Sequence, residues 1–131
     1  MLDTGKLYEK MPFARVLGVR LLTATPELVE AEMLVRPDLC TAGGQLHGGA
    51  AMSFSDSLGG VGAWLALPEG AKGTVTVESK TNLLGAAMVG ETITARTTPV
   101  HGGRRLQVWQ TMLSRPDGAP VAMTVQTQMT L

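Results

Sequence analysis

The sequence predicts an α+β domain in which a curved antiparallel sheet wraps around one long central helix, with a short helix at the N-terminus. Three observations lead to it. The stretch Gln45–Leu67 carries one formal charge, Asp56, and one other titratable group, His47, so it lacks the charged face of a surface helix. Segments of strand character flank it, two before and four after, joined by short turns that favour antiparallel neighbours. At 131 residues the chain builds one core and is too short for two, so residues 1–131 are read as a single domain. The inner face of the sheet needs a cover, and the central stretch is the one element apolar enough to supply it.

Taken in order, residues 3–17 hold Leu7, Met11, Phe13, Val16 and Leu17 at mixed spacing around Pro12. This predicts a short helix followed by a turn, anchored by Phe13 and Leu17. Residues 18–24 form a first strand, and Thr25-Pro26-Glu27 a turn. Over 28–36, Val29, Ala31, Met33 and Val35 alternate with Glu30, Glu32 and Arg36, the pattern of a strand with one wet face. Residues 37–44 form a loop. In the central stretch Phe54, Leu58, Val61 and Leu65 fall on one helical stripe, and Gly49, Met52, Asp56, Gly59, Gly60 and Ala63 on the opposite face. Glycines 48, 49, 59, 60 and 62 weaken this helix, by roughly 1 kcal/mol for each one in its interior. The helix must therefore be enclosed on nearly all sides, and its glycines suit close approach by another backbone. Pro68-Glu69-Gly70 ends it, and strands follow at 73–83, 90–100, 104–114 and 119–131. Arg115-Pro116-Asp117-Gly118 has the chemistry of a hairpin turn.

Composition narrows the function. Eleven Lys and Arg balance eleven Asp and Glu, which suggests neither a nucleic-acid partner nor an acidic membrane surface. One cysteine, Cys40, rules out an intramolecular disulfide and a Cys-based zinc site, and it fits a cytoplasmic protein. The N-terminal residues show no signal-peptide pattern, and no apolar run is long enough for a membrane span.

Within this frame several segments stand out: Pro12-Phe13 with Leu17-Gly18, Gly44-x-x-His47-Gly48-Gly49, Asp56 seven residues after Gly49, Asn82, and His101-Gly102-Gly103-Arg104-Arg105. With the strand order and length, they resemble the hotdog-fold acyl-CoA thioesterases, in particular the phenylacetate-pathway and 4-hydroxybenzoyl-CoA branch. The resemblance implies hydrolysis of an aryl- or medium-chain acyl-CoA, with Asp56 as general base or nucleophile. Backbone N–H groups at Gly48 and Gly49 would polarise the thioester carbonyl, with His47 in support, as expected of donors at a helix N-terminus. The resemblance also places Thr41, Gly60 and Asn82 against the substrate, and His101, Arg104 and Arg105, with Lys80 as a further contributor, on the coenzyme A phosphates. No metal or cofactor is implied, because coenzyme A is part of the substrate. It implies a homodimer with two sheets joined into one, assembling further as a dimer of dimers.

With these implied roles, spacing adds a further argument for two chains. Asp56 lies eight residues beyond Gly48, roughly 12 Å along a helix. One reacting carbonyl cannot touch both within a single helix. An antiparallel second copy would set one chain's Asp56 beside the other's Gly48. Two positions depart from the family pattern: Thr41 stands where many relatives have Asn or Gln, and Gly60 where a hydroxyl can stand.

Plainer roles stand beside these. His47 equally suits a cap on the helix start, and His101, Arg104 and Arg105 suit a solvated turn. Trp64 and Trp109 suit core or interface, Asn82 a hydrogen-bonding strand position, and Cys40 an inert site. Met52 and Met88 lie where an acyl pocket would need lining. Two other functions compete. A hotdog dehydratase or hydratase is disfavoured because the Asp-x-Asn-Pro-x-His pattern of one hydratase branch is absent. A non-catalytic acyl-CoA-binding module would bind without turnover.

Overall fold

The computed structural model describes residues 3–131, the side chains of Thr4 and Tyr8 aside. The elements run α1 (Thr4–Glu9), α2 (Pro12–Leu17), β1 (Arg20–Ala24), β2 (Val29–Leu34), α3 (Gly48–Leu65), β3 (Thr74–Leu83), β4 (Thr92–Gly102), β5 (Leu106–Ser114) and β6 (Pro120–Thr130). Six antiparallel strands form one sheet in the order β1-β2-β4-β5-β6-β3. This is the predicted α+β hotdog architecture, with α3 crossing the sheet between β2 and the far edge strand β3.

The N-terminal segment differs from expectation. Pro12 does not end a helix there but opens a second one, at a position where its missing N–H costs nothing. Gly18 closes α2 in the left-handed conformation, φ +77°. Arg36 then reaches back from the end of β2 and donates to the carbonyls of Leu17 and Val16, both at 2.9 Å. Ala14 and Leu17 are the buried anchors of α2, whereas Phe13 is 58 % exposed and anchors nothing in this chain.

The strands β2, β4, β5 and β6 carry the core. Val29, Ala31 and Met33 of β2 are buried with Ile93 and Ala95 of β4 and Leu113 of β5, against Phe54 and Leu58 of α3. Each of the larger side chains among these contributes about 1.5–3 kcal/mol by leaving water. On the outer face Glu30 pairs with Arg96 and Glu32 with Arg20, as the alternation of β2 required. At the other end the 115–118 turn closes as expected, with Gly118 at φ +86° and the Arg115 N–H bonded to Ala119 O.

The sheet covers more of α3 than a single apolar stripe. Ala51, Phe54, Ser55, Leu58, Gly59, Val61, Gly62 and Ala63 are all buried in one chain. Gly59 and Ala63 therefore face the sheet, not the Asp56 side where a helical wheel had put them. The enclosure is also incomplete: Met52 and Trp64 are 43 % and 49 % exposed, and Asp56, Ser57 and Gly60 are half-buried between them. No helix among the described residues is long and apolar enough to cross a membrane.

Candidate active site

The site begins with the loop that delivers α3. The Thr41 N–H bonds to Gln45 O at 2.8 Å, the Leu46 N–H to Ala87 O and the His47 N–H to Leu39 O, so the chain enters the helix tied on both sides. His47 is the N-cap. Its extended backbone precedes the first turn, and its Nδ1 accepts from the Gly49 N–H at 2.8 Å. In the neutral ring this leaves Nε2 as the proton-bearing nitrogen. The plainer role of His47 is thus present in the fold, and Gly49's amide is engaged by it. Among the described residues, the Gly48 N–H meets no acceptor, so Gly48 holds the free donor at this helix end. Replacing His47 by Ala is expected to lower stability by about 1 kcal/mol, read from the midpoint of urea unfolding.

Asp56 lies midway along α3 on its open side. Burial pushes its carboxyl above the ordinary value of 3.8. Beneath it lies a group of residues that sequence reasoning missed. Gln126 of β6, fully buried, donates from Nε2 to Asp56 Oδ1 at 3.4 Å, to the Asp56 carbonyl at 3.3 Å and to Gln128 Oε1 at 3.0 Å. Gln128 in turn accepts from the Thr76 hydroxyl at 2.5 Å and donates to Thr74 Oγ1 at 3.2 Å. A second buried amide, Gln107 of β5, reaches the Ala63 carbonyl at 3.3 Å and holds the Trp109 indole N–H at 2.8 Å. One signal for this lies in the sequence: Thr124, Gln126 and Gln128 recur at period two on a strand with no charged residue.

Two clefts adjoin α3 along its length. An apolar groove of about 350 Å³ runs between the N-terminal helices and the open face of α3, lined by Leu7, Met11, Ser57, Gly60, Val61 and Trp64, with Lys10 at its edge. Another, of about 330 Å³, sits at the start of α3 between Gly48, Leu83 and Ala87. Met52 and Met88 line neither.

The remaining predicted residues are dispersed. Thr41 is exposed at the base of the 41–45 turn. Asn82 and Lys80 lie exposed on β3, on the face opposite to Thr81, whose hydroxyl meets that of Thr124 at 2.7 Å. His101 ends β4 beyond a bulge, and Arg104 and Arg105 occupy the turn to β5, all three exposed. Among the described residues neither arginine forms an ion pair. Both line a cleft of about 640 Å³ with Pro68–Ala71 and Thr130, beyond the C-terminal end of α3. The N-terminus of α3, its Asp56 and the arginine turn are thus three separate stations along one helix.

The geometry can be set against known proteins. The model of the family described as "Thioesterase superfamily" matches residues 43–122. A Haemophilus influenzae protein named "Putative esterase" is 34% identical over 94 residues, covering 72% of this chain and 67% of its own. The solved structure of a mutant thioesterase, PA1618 of Pseudomonas aeruginosa, superimposes with a TM-score of 0.92 at 27% identity, over 100% of this chain and 95% of that one. The Escherichia coli PaaI protein, from the phenylacetic acid degradation operon, shares the fold with a TM-score of 0.87 at 18% identity, over 98% of this chain and 91% of that one. The family match spans the segment that holds His47-Gly48-Gly49 and Asp56, and the chain belongs to the thioesterase superfamily as a thioester hydrolase of the hotdog fold.

Proposed function

We propose that the chain hydrolyses acyl-CoA thioesters in a site shared by two copies, with Asp56 as the general base. The observation that carries this is Asp56 itself, the one charged residue of α3, half-buried on its open side with a carboxyl pushed upward by burial. A carboxylate so raised is a stronger base at working pH than one in free solvent. Asp56 takes a proton from a water as its oxygen bonds to the carbonyl carbon. The carbonyl oxygen becomes an oxyanion held by the Gly48 N–H of the second copy, at the positive end of its helix. Collapse breaks the C–S bond, and the thiolate of coenzyme A leaves and is protonated, giving free acid and thiol.

Two features support the pairing. β3 is the last strand of the sheet and exposes Val75 and Val77 along its free edge, an edge that invites a second strand. Met52, Gly60 and Trp64 leave α3 open to a neighbour on the Asp56 side. The groove beside Gly60 suits an aryl or medium-chain acyl group, and the unpaired forks of Arg104 and Arg105 suit the nucleotide phosphates of coenzyme A.

The test is a thiol-release assay over aryl, hydroxyaryl and straight-chain acyl-CoAs. Turnover of at least one is expected, and no release from any would overturn the reading. The Arg104→Ala/Arg105→Ala variant is expected to raise KM about tenfold for the best acyl-CoA, equivalent to ~1.4 kcal/mol. KM for the same acyl group on a short thiol lacking phosphates should stay unchanged. Equal losses on both substrates would remove the phosphates from this turn.

A further inference from the structure

Gln126 is a fully buried polar side chain against the proposed base, and its surroundings are unusual. Its Nε2 faces three acceptors, two on Asp56 and one on Gln128, while its own Oε1 is buried without a partner among the described residues. The opposite amide orientation would set oxygen against all three. Neighbours therefore dictate the orientation, and the fold tolerates an orphan acceptor to keep it. A buried glutamine with only a packing role would satisfy both ends. The space it occupies is reserved as well: a Cβ on Gly59 would lie 2.1 Å from Gln126 Cδ. Gln128 and Thr76 then lock the amide from behind.

We propose that Gln126 is a positioning residue for Asp56, its amide N–H fixing the carboxylate and favouring its ionised form. This rests on the reading of Asp56 as the base. Among the described residues no charged group competes for the role, and the one other donor beside Asp56, the Thr76 hydroxyl, gives its proton to Gln128. β5 and β6 carry no charged residue, and Glu30, Glu32 and Arg96 of β2 and β4 pair on the outer face. Lys6, Glu9, Lys10 and Arg15 of the N-terminal segment and Glu78 and Lys80 of β3 are exposed. An N–H donor aimed at a carboxylate lowers the pH at which it ionises, so losing the donor raises that pH.

The test replaces Gln126 by Met, close in length and without the N–H. The acid limb of the kcat profile is expected to move to higher pH by about one unit, with KM unchanged. The Asp56 carboxyl carbon, titrated by NMR in the enzyme without substrate, should move by the same amount. Thr97→Val, which breaks the buried Thr97–Thr111 pair at 2.8 Å on the neighbouring strands, should lower stability and leave the limb in place. If Gln126→Met does not fold, Gln126→Leu, shorter and likewise without the N–H, gives the same reading. An unmoved limb and unmoved carboxyl titration in a folded variant would overturn the proposal. Full activity in Asp56→Asn would instead overturn the base reading, so the two failures are distinguishable.

Discussion

Asp56→Asn is expected to lower kcat/KM for the preferred acyl-CoA by about 10²- to 10⁴-fold and, at pH 7, to raise the melting temperature. Both effects follow from one placement. Asn keeps the shape and hydrogen-bonding reach of the side chain but cannot take a proton from water, so the loss falls on the chemical step. The stability effect has the opposite sign. Burial raises the Asp56 carboxyl above its ordinary value of 3.8, so the folded chain binds this proton more tightly than the unfolded chain. The fold is at its most stable, as far as this group is concerned, below that ordinary value, and loses stability as pH rises through the raised one. At pH 7 the ionised carboxylate opposes folding, and a neutral amide removes the opposition. Thermal unfolding of both proteins at pH 7 and pH 3 should show a higher melting temperature for Asp56→Asn at the first and no gain at the second. A lower melting temperature at pH 7 would mean that the carboxylate stabilises the fold, against the burial argument. Undiminished turnover would remove Asp56 from catalysis.

The helix that carries Asp56 and the groups packed beneath it were not equally legible in the sequence. The helix around Asp56, the strands along the chain and the hairpin at 115–118 follow from charge distribution, period-two alternation and turn chemistry, which act locally, whereas the place of β3 at the far edge beside β6 does not. The start of α3 was also local, since His47 is a capping residue followed by glycines, although which amide it would occupy needed coordinates. What stayed hidden depends on what lies across the core. Gln107, Gln126 and Gln128 face inward on strands where an inward face is expected to be apolar, so hydropathy assigns them to solvent. They are tolerated because helix carbonyls, Asp56 and each other's amides satisfy most of their hydrogen-bonding groups. Phe13 failed as an anchor for a related reason: the first turn of α2 faces outward in the single chain, and Ala14 and Leu17 take the inner positions. Thr41 and Asn82, set against the substrate by the resemblance alone, are exposed in the single chain, and no local pattern marks them.

The glycines of α3 give the second large effect, and they separate two faces of the helix that the sequence alone had merged. Gly60→Ala and Gly62→Ala are expected to change stability in opposite directions. Each gains about 1 kcal/mol of helix propensity. At Gly60 a Cβ meets nothing within 4 Å, so in the single chain the gain stands. At Gly62 the Cβ would lie 2.6 Å from Trp109 Cζ3 and 2.8 Å from two more ring carbons. That ring cannot retreat, because it is 1 % exposed and its N–H is held by Gln107, which itself holds the Ala63 carbonyl. Overpacking against a rigid aromatic costs about 3 kcal/mol, which outweighs the propensity gain and leaves a net loss of about 2 kcal/mol. The urea midpoint should therefore rise for Gly60→Ala and fall for Gly62→Ala, and a rise in both would place the helix farther from the sheet than described. Activity supplies a second axis. Gly60 borders the apolar groove and lies one helical turn beyond Asp56. A methyl there that stabilises the fold while raising KM for bulky acyl groups would show that this glycine is kept open for the substrate, whereas Gly62 is kept open for the sheet.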